Sequence, residues 1–265
     1  MTQVHSILEK TDGYMIDTLG FEEHMAQIRG KKGIPVPGEW YKRPYYYALQ
    51  IEKDKMRHSG ETIRFPSFVQ KKDYEFEIIG MFLKPIKTTD RKEAIAHVRD
   101  HMIFCIFNDA SCRDFQGIDM KLPLGVSNSK GIADKGFGDV CAHGRDLNMD
   151  VNGVFHMPMR LKVNGEIRAR TNFETIYFKD PETGERKNWS FAEVIVFMGR
   201  MNQGFHESML IGSGTVGNGS IADDKKNHPW LKEGDTITME AEGLGSLTNT
   251  IEVVDMPDPA DIYGR

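Results

Sequence analysis

Hydrophobic and polar positions along this 265-residue chain change period several times, and each change predicts an element. In MIDTLGFEEHMAQIRG, from Met15, the residues Phe21, Met25 and Ile28 fall at i, i+4 and i+7, and Gly30 is a natural stop. That spacing predicts a short amphipathic helix. KKGIPVPGEWYKRP comes next, and its prolines and glycines forbid regular structure, so it predicts a loop wrapped over the body. DYEFEIIGMF, from Asp73 to Phe82, alternates and is rich in β-formers, which predicts a strand. In TDRKEAIAHVRDHM, Asp90 and Glu93 resemble a capping box, and Ile95, Val98 and Met102 share a helical face that leads into the strand IFCIF. Beyond the Gly-rich stretch from Gly117 to Gly144 the pattern shortens to strands and turns: RLKVNG, EIRART, TIYF, TITMEAEG and SLTNTIEVV. No repeat of 20 to 50 residues is present. These elements predict one β-rich α+β body over 71–265, covered by an N-terminal helical lid over 1–70.

Composition narrows the class of protein. With 39% hydrophobic and 28% charged residues the chain is too apolar for a disordered one. Its 34 Lys+Arg against 39 Asp+Glu leave a net charge of −5, where a nucleic-acid binder should carry a basic stripe. The longest apolar run, Phe191 to Met198, is broken by Glu193 and falls short of the roughly 20 residues that span a bilayer, so no membrane partner is expected. MTQVHSILEK lacks a basic region ahead of an apolar run and does not read as a signal peptide, which makes the cytoplasm the expected location. Cys105, Cys112 and Cys141 form no CxxC pair and read as small buried hydrophobes.

Three constellations could carry chemistry. On a strand, Asp73, Glu75 and Glu77 line one face, and carboxylates that close must protonate, find bases or hold a cation; a solvated strand face is the plainer alternative. In NDASCRDFQ, one helical turn would place Asp109 and Arg113 at i, i+4 with Gln116 beside them, suited to a metal and an oxyanion, or simply to a helix cap with an ion pair. Asp17 and His24, seven positions apart, would share a face if both lay on the first helix, leaving Asp17 to reach a metal while His24 acts as a base. Two motifs are weaker. Gly212-Ser-Gly214-Thr-Val-Gly217 matches GxGxxG but runs into a polar loop instead of a helix, and His206-Glu207 lacks the second histidine of a zincin.

These residues together resemble the fumarylacetoacetate hydrolase family. DYEFEIIG resembles its strand of paired metal-binding glutamates, and NDASCRDFQ its Asn-Asp-x-Ser-x-Arg-Asp-x-Gln signature. KGFGD at 135–139, VNGE at 163–166, GSGTVGNG and LKEGDTITMEAEGLGSLTN follow in the family's order. The resemblance implies a mixed β-sandwich roll, usually a homodimer, with one divalent cation held by carboxylates. It makes Glu75, Glu77 and Asp109 metal ligands with Asp17 as a further one, and His24 the water-activating base. Tyr47, Arg113, Gln116 and Thr215 then contact substrate, with Lys135 as a catalytic lysine, preferred over Lys130 because Phe137 follows it. Oxygen-only ligands suit hard cations such as Mg²⁺, Mn²⁺ or Ca²⁺. The chain departs from the family after the Gly-Thr turn. Where the hydrolase branch carries a glutamate that orients the histidine, this sequence reads SIADDKK, so Asp223, Asp224 or the nearer Glu23 would have to serve.

The function implied is cation-dependent hydrolysis of a carbon-carbon bond in an acylpyruvate or related 2,4-dioxo acid. The first alternative is a decarboxylase, hydratase or isomerase of a 2-oxo acid, since these reactions share an enolate and need the same ligands. The second is a catalytically silent module that merely holds an ion. A pocket for the acyl group is expected between Trp40–Tyr47 and the loop from Arg145 to Met159.

Overall fold

The computed structural model describes residues 7–30, 33–121 and 125–258. Part of the stretch examined for a leader, residues 1–6, lies outside these, as do Lys31 and Lys32 of the proline-rich segment. The chain begins with α1 (Ile7–Lys10), β1 (Tyr14–Thr18), α2 (Glu22–Gly30), β2 (Tyr46–Gln50), β3 (Met56–Arg57) and β4 (Thr62–Pro66). It continues through β5 (Lys72–Asp73), β6 (Phe76–Phe82), α3 (Arg91–His101), β7 (Met102–Asn108), β8 (Ser111–Cys112), α4 (Arg113–Asp119) and α5 (Ser127–Lys130). Next come β9 (Lys135–Phe137), β10 (Ala142–His143), β11 (Pro158–Val163), β12 (Glu166–Asn172), β13 (Tyr177–Lys179) and β14 (Arg186–Asn188). The chain ends with α6 (Phe191–Arg200), β15 (Leu210–Gly212), β16 (Thr236–Ala241) and β17 (Gly245–Val254).

Two sheets dominate this mixed α+β fold. The larger has eight strands, in the order β2-β1-β15-β6-β7-β9-β3, with β10 also paired to β7. The second has the order β12-β11-β16-β17-β4. Every residue of β6 and β7 is buried, as expected of central strands covered on both faces. Phe104, Phe155, Phe173 and Phe191 meet ring to ring beneath α6; each buried ring contributes about 1.5–3 kcal/mol of apolar transfer. Helix α3 starts where its cap predicts. The Asp90 carboxylate accepts from the backbone N–H groups of Lys92 (2.7 Å) and Glu93 (3.4 Å), while Glu93 turns to the Thr88 hydroxyl instead of closing a full capping box.

Four expectations change. The helix expected from Met15 begins at Glu22, because Met15, Ile16 and Asp17 are buried and pair with β15 on one side and β2 on the other, and buried Thr18 still pairs with β2. The strand expected from Asp73 is divided into β5 and β6, since Glu75 breaks away to bridge Ser220 while its carbonyl accepts from the Asp109 N–H. The apolar run from Phe191 to Met198, for which the sequence predicts no element, forms most of α6, whose buried faces leave little polar stripe to mark it. The segment 1–70 does more than cover the body. It supplies β1, β2 and β3 to the larger sheet and β4 to the smaller, so residues on both sides of position 70 share the same sheets.

Candidate metal and active site

Strand order assembles the acidic centre. Asp17 on β1 stands opposite Gly212 on β15, and Gly212 in turn lies beside β6, which carries Glu77. Gly212 has no side chain, and this permits the approach: a Cβ there would lie 2.1 Å from Asp17 Oδ1 and 3.2 Å from Glu77 Oε2. Asp109 follows the next strand, β7. One oxygen from each of Asp17, Glu77 and Asp109 lies within 4.8 Å of the others, and all three residues are buried. Thr215 Oγ1 donates to Glu77 Oε1 at 3.1 Å, and the Tyr47 hydroxyl donates to Asp109 Oδ2 at 2.7 Å. The Thr18 N–H donates to Asp17 Oδ1 at 2.9 Å. Glu77 Oε2 has no hydrogen-bond partner among the described residues.

Among the described residues Asp17 and Glu77 have no ion-pair partner, whereas Asp109 contacts Lys130 and Lys135. Burial, then the Asp109 carboxylate, pushes Asp17 up to about 6. Burial, then Asp17 and Asp109, holds Glu77 well above the ordinary carboxylate range. Buried like charges disfavour ionisation of Asp17 and Glu77, and a divalent cation would relieve both at once. The orphaned Glu77 oxygen, the space left by Gly212 and the all-oxygen donor set fit a hard divalent ion.

Glu75, also expected as a ligand, lies outside this triad. Arg113 reaches it with Nη2 at 2.7 Å, reaches Asp73 with Nε at 2.7 Å, and donates from Nη1 to Gln116 Oε1 at 2.7 Å. The Lys130 ammonium contacts Glu75, Asp109 and Ser111 Oγ, the last at 2.8 Å. Burial alone would raise the Glu75 carboxyl, but Arg113 and Lys130 outweigh it and hold it well below the usual range. Lys135 ion-pairs with Asp109 Oδ1 at 2.6 Å and donates to the Ala110 carbonyl at 2.6 Å. Both lysines considered from the sequence are therefore in the site.

His24 and Asp17 reach the site from different elements, not from one helix. His24 is the buried residue of α2, and its Nδ1 lies 2.8 Å from Asp223 Oδ1. Asp223 is itself held, accepting from the Ser220 N–H at 3.1 Å, and the neighbouring N–H groups of Ile221 and Ala222 donate to Asp73 at 2.8 and 3.0 Å. Of the three carboxylates open from the sequence, Asp223 is thus the partner of His24, while Glu23 bonds Asn218 and Gln27, and Asp224 bonds Asn227. Asp109 precedes β8 and α4, so it meets Tyr47 and the lysines across space and not Arg113 along a helix. Ser111 and Gly212 were missed as site residues although both stood inside the quoted motifs, and Lys130, weighed against Lys135 from the sequence, contacts the acids as Lys135 does.

Of the residues in the two segments expected to line an acyl pocket, Tyr47 reaches the acidic site while others are packed away. Trp40 is buried against Phe178 and Trp189, and Phe155 and Met157 belong to the core. A cavity of about 180 Å³ adjoins the site, lined by Leu49, Ile51, Lys55, Lys130, Ala133 and Lys135 among others. A larger one, about 230 Å³ and lined by Tyr74, Arg168, His228 and Trp230 among others, includes none of the acidic triad. Among the described residues no helix is long and apolar enough to cross a membrane.

Comparison with known proteins places this geometry in context. The family model "Fumarylacetoacetate (FAA) hydrolase C-terminal" matches residues 15–252. A mitochondrial oxaloacetate tautomerase of Bos taurus is 28% identical over 196 residues, covering 72% of this chain and 54% of that protein. The chain therefore spans about half the length of that curated relative. Among solved structures, a 5-carboxymethyl-2-hydroxymuconate delta-isomerase from Mycobacterium smegmatis superposes with a TM-score of 0.65 at 17% identity, covering 93% of this chain and 81% of that one. A fumarylpyruvate hydrolase from Pseudomonas aeruginosa, in complex with Mn²⁺ and pyruvate, gives 0.61 at 18% identity, covering 92% and 90%. At these identities the superpositions establish the fold. The match over residues 15–252 goes further: the chain belongs to the fumarylacetoacetate hydrolase family.

Proposed function

We propose that this chain is a divalent-cation-dependent isomerase or tautomerase of an enolisable 2-oxo or 2,4-dioxo acid. The observation that carries the proposal is the pairing of a buried acidic triad with a separate histidine whose Nδ1 is held by Asp223. The names of the tautomerase and isomerase relatives support the same reading. Asp17, Glu77 and Asp109 would hold the cation, with Mn²⁺ in the related hydrolase as precedent and Mg²⁺ equally suited to the donors. When bound, such an ion supplies Lewis acidity, polarising the oxo group and easing loss of a proton from the adjacent carbon.

The chain's own residues do the rest. Asp223 fixes His24 Nδ1 as the protonated nitrogen, which leaves Nε2 to take the proton from carbon and return it to oxygen, a role typically worth about 10²–10⁴ in rate. Gln116 spends its carbonyl on Arg113 and keeps its amide N–H groups for a carboxylate. Lys135 retains one N–H beyond those given to Asp109 and Ala110. Arg113 gives one N–H each to Asp73, Glu75 and Gln116, which fixes its plane and leaves two N–H groups for a substrate carboxylate. The homodimer is part of this proposal and is checked by light scattering.

Hydrolysis of an acylpyruvate is the second reading, favoured by the same His24–Asp223 pair, which could equally direct a water at a carbonyl. Ultraviolet enol absorbance and pyruvate release, followed together on oxaloacetate and on acylpyruvates, separate the two. The proposal expects enol absorbance to fall with Mn²⁺ or Mg²⁺ and not with chelator, without cleavage of the acylpyruvate. Stoichiometric pyruvate from the acylpyruvate would establish the hydrolase instead, and no change with any acid would overturn both.

A further inference from the structure

The two lysines in the site are held in different ways. Lys135 is on β9 and spends a donor on the Ala110 carbonyl, a backbone group that no incoming cation removes. Lys130 ends the one-turn helix α5, is 3% exposed, and gives its contacts to Glu75, Asp109 and Ser111, with its ammonium 5.5 Å from the centre of the Tyr47 ring. It is therefore the positive charge nearest the oxygen of Asp109 that also receives the Tyr47 hydroxyl.

We infer that Lys130 is a built-in counter-ion that competes with the divalent cation for this acidic site and sets its affinity. The inference rests on the metal reading proposed above. Lys130 and Lys135 hold the two oxygens of Asp109, so an ion reaching that carboxylate shares an oxygen with one ammonium, and the two repel strongly in a buried site. One of them has to give way. The cavity of about 180 Å³ beside Lys130 gives its side chain somewhere to withdraw, with Glu52 on the wall as a replacement counter-charge. Glu75 keeps Arg113 when Lys130 leaves, so the withdrawal does not strand a buried carboxylate. Cation binding and Lys130 withdrawal are then one event, and the net affinity is the difference between two charge pairings.

Calorimetric titration of Mn²⁺ into the full chain and into Lys130→Met tests this. The variant should bind Mn²⁺ at least about tenfold more tightly, because a buried competing charge is gone. Lys135→Met should gain less. A wild type that binds Mn²⁺ with a variant that binds equally or more weakly overturns the inference and leaves the metal reading standing. A wild type that binds no Mn²⁺ overturns both. Amine labelling of wild-type protein read by mass spectrometry removes any dependence on how the variant folds. Lys130 should label faster with Mn²⁺ present than with chelator, and an unchanged or slower rate contradicts its withdrawal.

Discussion

Glu75 and Glu77 are two residues apart in sequence, both buried, and held in opposite directions. Glu75 faces Arg113 and Lys130 and stays ionised far below the usual range, whereas Glu77 faces Asp17 and Asp109 and is pushed far above it. The residue type and the burial are the same, so the neighbours decide. One half of the site is an ion-pair knot around Arg113, and in the other Asp17 and Glu77 have no ion-pair partner among the described residues and could hold a cation. Asp109 joins the two halves: it lies in the triad with Asp17 and Glu77 and carries Lys130 on one oxygen and Lys135 on the other.

Breaking the Arg113 knot should have the largest effect. Arg113→Met leaves Asp73 and Glu75 with one buried base between them, and removing one partner of a buried ion pair costs about 3–5 kcal/mol, to be read from the urea midpoint of unfolding. Neutralising each glutamate in turn sharpens the contrast. Glu75→Gln should lower the melting temperature of the chelator-treated protein, and Glu77→Gln should raise it, since the first strands two cations and the second removes a repelled anion. Glu77→Gln should also weaken Mn²⁺ binding by at least about 100-fold by calorimetry, more than loss of a residue behind a ligand typically does.

A smaller effect is expected at the histidine. Asp223→Asn keeps the shape of the His24 contact and removes its charge, so turnover should fall by about tenfold or more with KM little changed, and a plain folding defect would not split the two parameters in that way. The smallest effect concerns pH. Asp17 is raised in the fold from 3.8 to about 6, so its contribution to the metal-free protein is full below pH 4 and lost as the pH rises through 6. The gap in melting temperature between Mn²⁺-loaded and chelated protein should therefore widen across that window, by on the order of 5 °C. A gap that stayed flat would say that Asp17 is not short of a counter-charge.

Much of this was legible in the sequence, and the failures share one cause. Local periodicity found α3 with its Asp90 cap, the strand through Ile78 and Ile79, and the hairpin that turns at Asn164 and Gly165, both of which take positive φ. It failed at Asp17, where a helical spacing downstream was extended over residues that the sheet claims from both sides. It failed at α6, where burial on most faces erases the polar stripe. The motifs named acids, a tyrosine and a threonine that the fold does bring into contact, but they could not separate Glu75 from Glu77. That distinction lies in Arg113 and Lys130, which arrive 38 and 55 residues after Glu75. Nor could they choose Asp223 over Asp224, since the choice is made by the short turn after Ser220 and by Asp73 holding the backbone of Ile221 and Ala222.

The central claim is that three carboxylates converge on one ion. Anomalous diffraction from a crystal soaked in Mn²⁺ and collected near the manganese edge tests it most directly. The account predicts one strong peak per chain within coordination distance of Asp17, Glu77 and Asp109. A peak elsewhere, or none between those three side chains in crystals with the site open to solvent, would contradict it.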